Sequence, residues 1–418
     1  MEKGEHSLAM TTDITSRETR SRSRFELRHG AGFWIIAAAF FTVMAFSTLP
    51  TPLYALYQQR DGFATFLITV IFAAYGIGVM ASLYFAGHVS DWLGRRRIIL
   101  IAIVVEIVAA VVFLAWPEVP GLIVARFING VGVGMLTATA TAHLSELRAV
   151  ARPDEGPATS GTIASFVNIG GLAAGALISG VLAQFVVAPL VVPYLVFLVL
   201  LVVGAIAVAF VPETIERQEE RHAYRPQRVS LPAASRSTFF AAGAGAFSAF
   251  AIFGLFTSLA PSFISGTLHE PSRLVAGAVT FVVFGAAAVS QVLTARLSPR
   301  RQLQLAVALM SVGLIAMATG VLVASLPVFV AAGLVAGAGV GILFRSSIGV
   351  AGSLASGQSK GEILAALFLI AYAGMSLPVL LIGLALAFLP STTVLVAFAA
   401  IVLVLVFVSG TRMIAARR

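Results

Sequence analysis

An all-α polytopic membrane protein, twelve transmembrane helices in two six-helix bundles, is the fold class this sequence predicts. Three observations predict it. The 418 residues are 59% hydrophobic and 11% charged, with a mean hydropathy of +0.99. Soluble domains carry about 25% charged residues, so lipid is the solvent for most of this surface. Twelve apolar runs are long enough to cross a bilayer core, which takes ~20 residues. Their continuous apolarity excludes a barrel, whose strands alternate, and leaves helices to satisfy backbone polar groups in lipid.

The elements follow in order. Residues 1–32 are polar and charged, with RETRSRSRFELRHG at 17–30. They lack the apolar core and small-residue cleavage site of a secretory signal and read as a cytoplasmic tail. The first bundle, 33–212, holds spans at 33–56, 64–86, 97–116, 121–144, 161–186 and 190–211. Pro50 and Pro52 break the outer half of span 1. A charged linker, 213–236, separates this bundle from a second one at 237–412. Its spans are 237–263, 274–295, 302–324, 326–348, 362–388 and 392–411, and 413–418 form a second cytoplasmic tail.

Charge sets the orientation. Of 27 Lys and Arg, 24 fall on the side of both termini, Arg60 and Arg273 on the other, and Arg126 within a span. Positive charge marks the cytoplasmic side. We therefore expect a multi-pass protein of the cytoplasmic membrane with both termini inside. The pI of about 10.6 is then a topology signal and excludes nucleic acid as a partner. The chain has no cysteine, hence no disulfide or thiolate metal site. Its glycine-rich runs lack the P-loop lysine, and no His/Asp/Glu cluster has metal-ligand spacing. No catalytic residue, metal or cofactor is expected, and the chain does not read as an enzyme.

A 6 + 6 arrangement around a charged loop points to a secondary transporter built from repeats. Four stretches sharpen this. The turn between spans 2 and 3 reads Gly87-x-x-x-Asp91-x-x-Gly94-Arg95-Arg96-Arg97. Span 4 carries RFINGVGVG, with Arg126, Asn129, Gly130 and Gly134. Span 5 carries GLAAGALISG, with Gly171, Gly175 and Gly180, and span 6 ends in VPET, 211–214. Together these resemble the major facilitator superfamily, and the span-5 motif resembles its drug–proton antiporter branch. Ala176 and Ser179 depart from that branch's proline and glycine, and span 1 has no acid. The resemblance implies that the turn from Gly87 to Arg97 is a conformational latch. Asp91 would meet the start of span 11 near Gly361 and Glu362.

Ionisable groups cost ~2.5–3.5 kcal/mol at mid-membrane and need a reason. Two sit well inside the spans, Glu106 and Arg126, and both are candidates for proton coupling. A direct pair between them is not expected, because the helix rise separates their Cα atoms by roughly 8 Å along the membrane normal. The resemblance also implies a cavity lined by spans 1, 4, 7 and 10, with 2, 5, 8 and 11 beside them. Candidates there are Thr42, Phe46, Tyr54, Tyr75, Asn129, Asn168, Phe250, Phe253, Tyr372 and Met375. Such an apolar, aromatic wall suits a lipophilic or amphipathic molecule. The expected function is proton-coupled export of such molecules by alternating access, with metabolite uptake or lipid translocation as alternatives. The expected partners are a small-molecule substrate, protons and the lipid bilayer, and the expected state is a monomer.

Overall fold

Each apolar run forms a helix in the computed structural model, which describes residues 27–86, 93–215, 233–354 and 360–416. Among the described residues, twelve helices are long and apolar enough to cross a membrane, and none of these residues lies in a strand. The spanning helices of the first half are α1 (His29–Thr48), α2 (Thr65–Ala86), α3 (Arg95–Ala115), α4 (Val119–Ala151), α5 (Pro157–Phe185) and α6 (Val192–Ala209). Those of the second are α7 (Ala233–Ser258), α8 (Arg273–Leu293), α9 (Pro299–Leu322), α10 (Leu326–Ser353), α11 (Lys360–Ala385) and α12 (Ser391–Ala415). Two short helices continue α1 and α7: α1b (Tyr54–Asp61) and α7b (Ala260–Gly266).

The helix ends have local causes. α4, α6, α9 and α10 each carry proline in the first turn, where the missing N–H has no intrahelical partner to lose. Ser272 and Ser298 cap α8 and α9 by accepting the backbone N–H of Val275 and Arg301. α4 and α10 run on to Ala151 and Ser353, past the apolar runs that end at 144 and 348. Hydropathy marks where lipid ends, while backbone hydrogen bonding continues. Pro50 and Pro52 do break span 1. α1 stops at Thr48, and a 3₁₀ turn at Thr51–Leu53 leads into α1b.

The neighbours of each helix repeat at an offset of six. α1 packs on α4, α5 and α6, as α7 packs on α10, α11 and α12. α2 on α4, α3 on α4 and α3 on α6 recur as α8 on α10, α9 on α10 and α9 on α12. The halves meet mainly through α2 with α11 and α5 with α8. α3, α6, α9 and α12 form the periphery and turn apolar side chains outward, among them Val199 at 61% and Phe407 at 59% exposure. Such a face needs lipid.

The close backbone approaches between α5 and α8 lie toward one end. A Cβ built on Gly180 of α5 would sit 2.8 Å from the Arg273 carbonyl oxygen and 3.1 Å from Gly277 Cα on α8. The two backbones touch there because both residues are glycine. The Arg273 N–H donates to Gln184 Oε1 at 3.1 Å. α1b and α7b touch each other at the same end, with Leu53, Tyr54, Pro261 and Ile264 buried. We call this the closed end; it carries Arg60 and Arg273. The other end carries Arg95, Arg148 and Arg345.

Candidate functional site

Between the halves lies a cavity of about 590 Å³. Ser47, Thr48 and Thr257 close it toward α1b and α7b, while Thr141, Gly161, Ser165 and Ala295 line its other end. Ser165 and Ala295 are exposed and Thr257 is buried, so the cavity opens away from α1b and α7b. Aromatic rings cross it from one half to the other. Tyr75 meets Tyr372 (ring centroids 6.4 Å apart), Tyr372 meets Phe250 (5.2 Å), and Phe250 meets Phe344 (4.8 Å). Phe253 stacks on Phe284 at 4.1 Å.

Behind this wall, three buried polar side chains form a relay. Arg126 Nη1 donates to the Ser47 carbonyl at 2.7 Å and to Asn129 Oδ1 at 3.0 Å. Asn129 Nδ2 donates to Glu106 Oε2 at 2.7 Å. Glu106 and Asn129 are fully buried and Arg126 is 2% exposed. The proline break in α1 prepares one of these contacts. The last carbonyls of a helix have no intrahelical partner, and Ser47 lies in that last turn of α1. Arg126 also lies over the Tyr75 ring, its Cζ 4.4 Å from the centroid, so it touches both relay and cavity. Gly132 leaves room for the carboxyl, because a Cβ there would run into Glu106 Oε1. That oxygen has no hydrogen-bond partner among the described residues.

A second polar cluster sits at the open end. Gly94 takes φ +94°, a left-handed backbone that glycine adopts freely, and starts α3. The Arg95 N–H donates to Glu213 Oε1 at 2.8 Å and the Arg96 N–H to Glu213 Oε2 at 3.2 Å. Glu213, from the VPET ending, thus places an anion at the positive end of α3. Arg95 Nε donates to Glu146 at 3.2 Å, Thr214 Oγ1 donates to the same carboxylate, and Arg96 Nη1 donates to the Val211 carbonyl at 2.8 Å. These contacts join α3, α4 and the end of α6 within the first half. Arg97 is exposed. Gly87 and Asp91 lie outside the described residues.

The residues named from sequence divide as follows. Tyr75, Asn168, Phe250, Phe253, Tyr372 and Met375 line the cavity. Four others sit elsewhere. Thr42 Oγ1 donates to the Ala38 carbonyl within α1. Phe46 is buried against Phe113 of α3 and Phe197 of α6. Tyr54 is buried in α1b, and Asn129 faces Glu106. Aromatic type and span number do not fix which side of a helix faces the cavity. Gly171 and Gly175 lie against α1, where a Cβ would strike the Phe41 and Ala45 carbonyls, and Gly180 faces α8.

Two features escape the sequence reading. Asn129 bridges the axial gap between Glu106 and Arg126. Its place three residues after Arg126 on one helix face was the available signal. Arg345, near the end of the run 326–348 and one of the 24 basic residues counted on the side of the termini, lies within α10 and lines the cavity. Its Nη1 donates to the Gln291 carbonyl at 2.8 Å.

Residues 35–379 match the family described as Major Facilitator Superfamily. The chain belongs to the major facilitator superfamily. It is a multi-pass membrane transporter rather than an enzyme. Structural likeness runs over the whole fold. The crystal structure of the nucleoside transporter NupG superposes with TM-score 0.72 at 12% identity, covering 91% of this chain and 99% of that one. That of the human organic anion transporter MFSD10 (TETRAN) gives 0.68 at 16%, covering 92% and 100%. At such identities the likeness concerns the fold alone. Sequence relatives match over short stretches. Monosaccharide-sensing protein 1 of Arabidopsis thaliana is 32% identical over 87 residues, 21% of this chain and 11% of that protein. The arabinose-proton symporter of Bacillus subtilis is 29% identical over 104 residues, 25% of this chain and 21% of that protein.

Proposed function

We propose that this superfamily member carries lipophilic or amphipathic small molecules across the cytoplasmic membrane by alternating access, coupled to protons through Glu106. The observation that carries the reading is the relay from Glu106 through Asn129 to Arg126, which ends against the cavity wall. A carboxyl has two charge states, and a change at Glu106 alters what Arg126 must neutralise. The wall sets eight aromatic side chains beside hydroxyl, amide and guanidinium groups, the mixture an amphipathic ligand requires.

Alternating access proceeds by rocking the two bundles, 33–212 and 237–412, about the cavity. Separation of the Gly180–Gly277 contact would open the closed end. Asp91 and the arginines after it would then latch the other end. Drug-like export is the narrower form of this proposal and rests on the span-5 likeness to drug–proton antiporters. Uptake is the second reading. It is favoured by Ala176 and Ser179, which depart from that motif, and by the symporter among the relatives.

The test is cellular accumulation of two fluorescent amphipathic dyes, one cationic and one anionic, with and without expression and with and without a protonophore. Protonophore-sensitive change in either dye, abolished by Glu106→Gln and Arg126→Ala, is the expected result. Lower dye means export and higher dye means uptake. Equal levels of both dyes with a well-expressed protein would remove the proposal.

A further inference from the structure

We infer that the substrate is an organic anion with an aromatic or apolar body, and that it occupies the cavity together with a proton on Glu106. The inference rests on the proposed role of the cavity and narrows it to one charge class and one order of events.

The first ground is the cavity's charge. Two guanidinium groups line it, Arg126 from the first half and Arg345 from the second, and among the described residues no Asp or Glu lines it. Arg126 commits Nη1 to Ser47 and Asn129, and its buried Nε has no hydrogen-bond partner among the described residues. Arg345 commits Nη1 to one backbone carbonyl, which carries no formal charge. An arginine has five N–H donors, so each side chain keeps donors for a carboxylate, sulfonate or phosphate. Gln291, 6% exposed and lining the cavity, has an unpartnered Nε2 as a further donor. Counter-charge is scarce around Arg345. From residue 233 onward the chain has only two carboxylates, Glu270 and Glu362. Glu270 accepts the Ser272 N–H in the α7b–α8 connection, and Glu362 lies in the first turn of α11. No ion pair to Arg345 exists among the described residues. A cation would therefore meet two guanidinium groups and no carboxylate in the wall that the described residues form.

The second ground is geometric. The rings of Tyr75, Tyr372, Phe250 and Phe344 run in sequence from beneath Arg126 to the residue beside Arg345. Successive rings are inclined by 56–75°, so an apolar body would meet ring faces and edges in turn while its anionic group reaches a guanidinium at either end.

The proton follows from the relay. α3 carries Glu106 and packs on α4 and α6. From α4 it meets Asn129 and, through it, Arg126. From α2, Tyr75 lies under the guanidinium. α6 contributes only Tyr194 among titratable residues, and its ring stacks on Phe113. Arg126 is thus the one cation in the relay. Ionised Glu106 offsets its charge, while protonated Glu106 leaves that charge to a ligand in the cavity. Anion and proton then load together and neutralise each other's cost. A carrier with this order moves both in one direction.

The test uses three naphthalene probes of similar shape: 2-naphthalenesulfonate, neutral 2-naphthalenesulfonamide and 2-naphthylmethylammonium. Binding to the purified full chain is read by thermal shift and calorimetry in two buffers of different ionisation enthalpy. The sulfonate does not titrate near neutrality, so any proton taken up belongs to the protein. We expect the sulfonate alone to raise Tm, with about one proton bound per anion. Arg345→Gln should weaken binding roughly tenfold or more, the worth of one charge-assisted hydrogen bond, with Arg345→Lys recovering part. Glu106→Gln, locked in the neutral form, should bind the sulfonate without proton uptake. Equal binding of all three probes, preference for the ammonium, no binding of the sulfonate, or sulfonate binding without proton uptake would overturn the inference. Protonophore-sensitive transport of probes without charge preference would leave the proposed function standing and sink only this inference. Failure of every probe to move in proteoliposomes would count against both.

Discussion

Replacing Asn129 by alanine separates two roles that the relay combines. The side chain donates to Glu106 at 2.7 Å and accepts from Arg126 at 3.0 Å. Arg126 loses little, because it keeps the Ser47 carbonyl and the Tyr75 ring. Glu106 loses more. Oε1 already has no partner, and the variant leaves Oε2 without one as well. Interhelical hydrogen bonds within membranes contribute about 0.6 kcal/mol on average and about 1.7 at most. Unfolding stability should therefore fall by only ~1–2 kcal/mol, and the protein should still assemble. Coupling should suffer far more, because the chemical path from carboxyl to guanidinium is cut. The assay is substrate accumulation in proteoliposomes with and without an imposed pH gradient, beside the Tm in detergent. We expect gradient-driven accumulation to vanish while substrate exchange at equal pH persists. A variant that accumulates substrate like wild type would show that Asn129 is only a packing residue. A variant too unstable to purify would show that the hydrogen-bond magnitudes are wrong.

Three other outcomes are expected. Glu213→Gln weakens the charge-assisted bonds to the Arg95 and Arg96 N–H groups and should cost about 1 kcal/mol, read as a lower Tm. Gly180→Leu forces a side chain into the Gly277 contact and should hold the closed end apart. The native chain has no cysteine, so a Thr257→Cys reporter should label faster with an impermeant maleimide in that variant; an unchanged rate would contradict the closure assignment. Hydrogen bonding from Arg148, then from Arg152, holds the Glu155 carboxyl below the usual carboxylate range. A lowered folded-state pKa stabilises above the unfolded value, about 4.3 for glutamate, and that contribution fades as pH falls through the folded value. The Tm excess of wild type over Glu155→Gln should be present at neutral pH, small because the cluster is partly solvated, and gone in strong acid.

Much of the fold is legible in the chain because lipid imposes a single rule, an apolar run of spanning length for every crossing. Glu106 and Arg126 stand out for the same reason, as charges in a place that penalises charge. What the rule does not carry is rotation about each helix axis. Phe46 and Tyr75 look alike on paper, yet one packs into α3 and α6 and the other lines the cavity. Position along the axis hid Arg345. Near the end of an apolar run, an arginine reads as a topology signal, but α10 continues to Ser353 and sets that side chain against the cavity. Axial spacing argued against a direct pair between Glu106 and Arg126, and the link that exists runs through a third side chain, Asn129. Glu213 was read as part of a family ending; its role as the anion at the start of α3 needs the fold that brings α6 back to α3.

The central claim is that Glu106 carries the coupled proton. The most direct measurement is made in proteoliposomes holding a pH-sensitive dye, with wild type and Glu106→Gln compared for proton movement on substrate addition and for substrate exchange at equal pH. Wild type should move protons with substrate, and the variant should exchange substrate without moving protons or responding to a pH gradient. Substrate-linked proton movement of wild-type size in Glu106→Gln would contradict the claim.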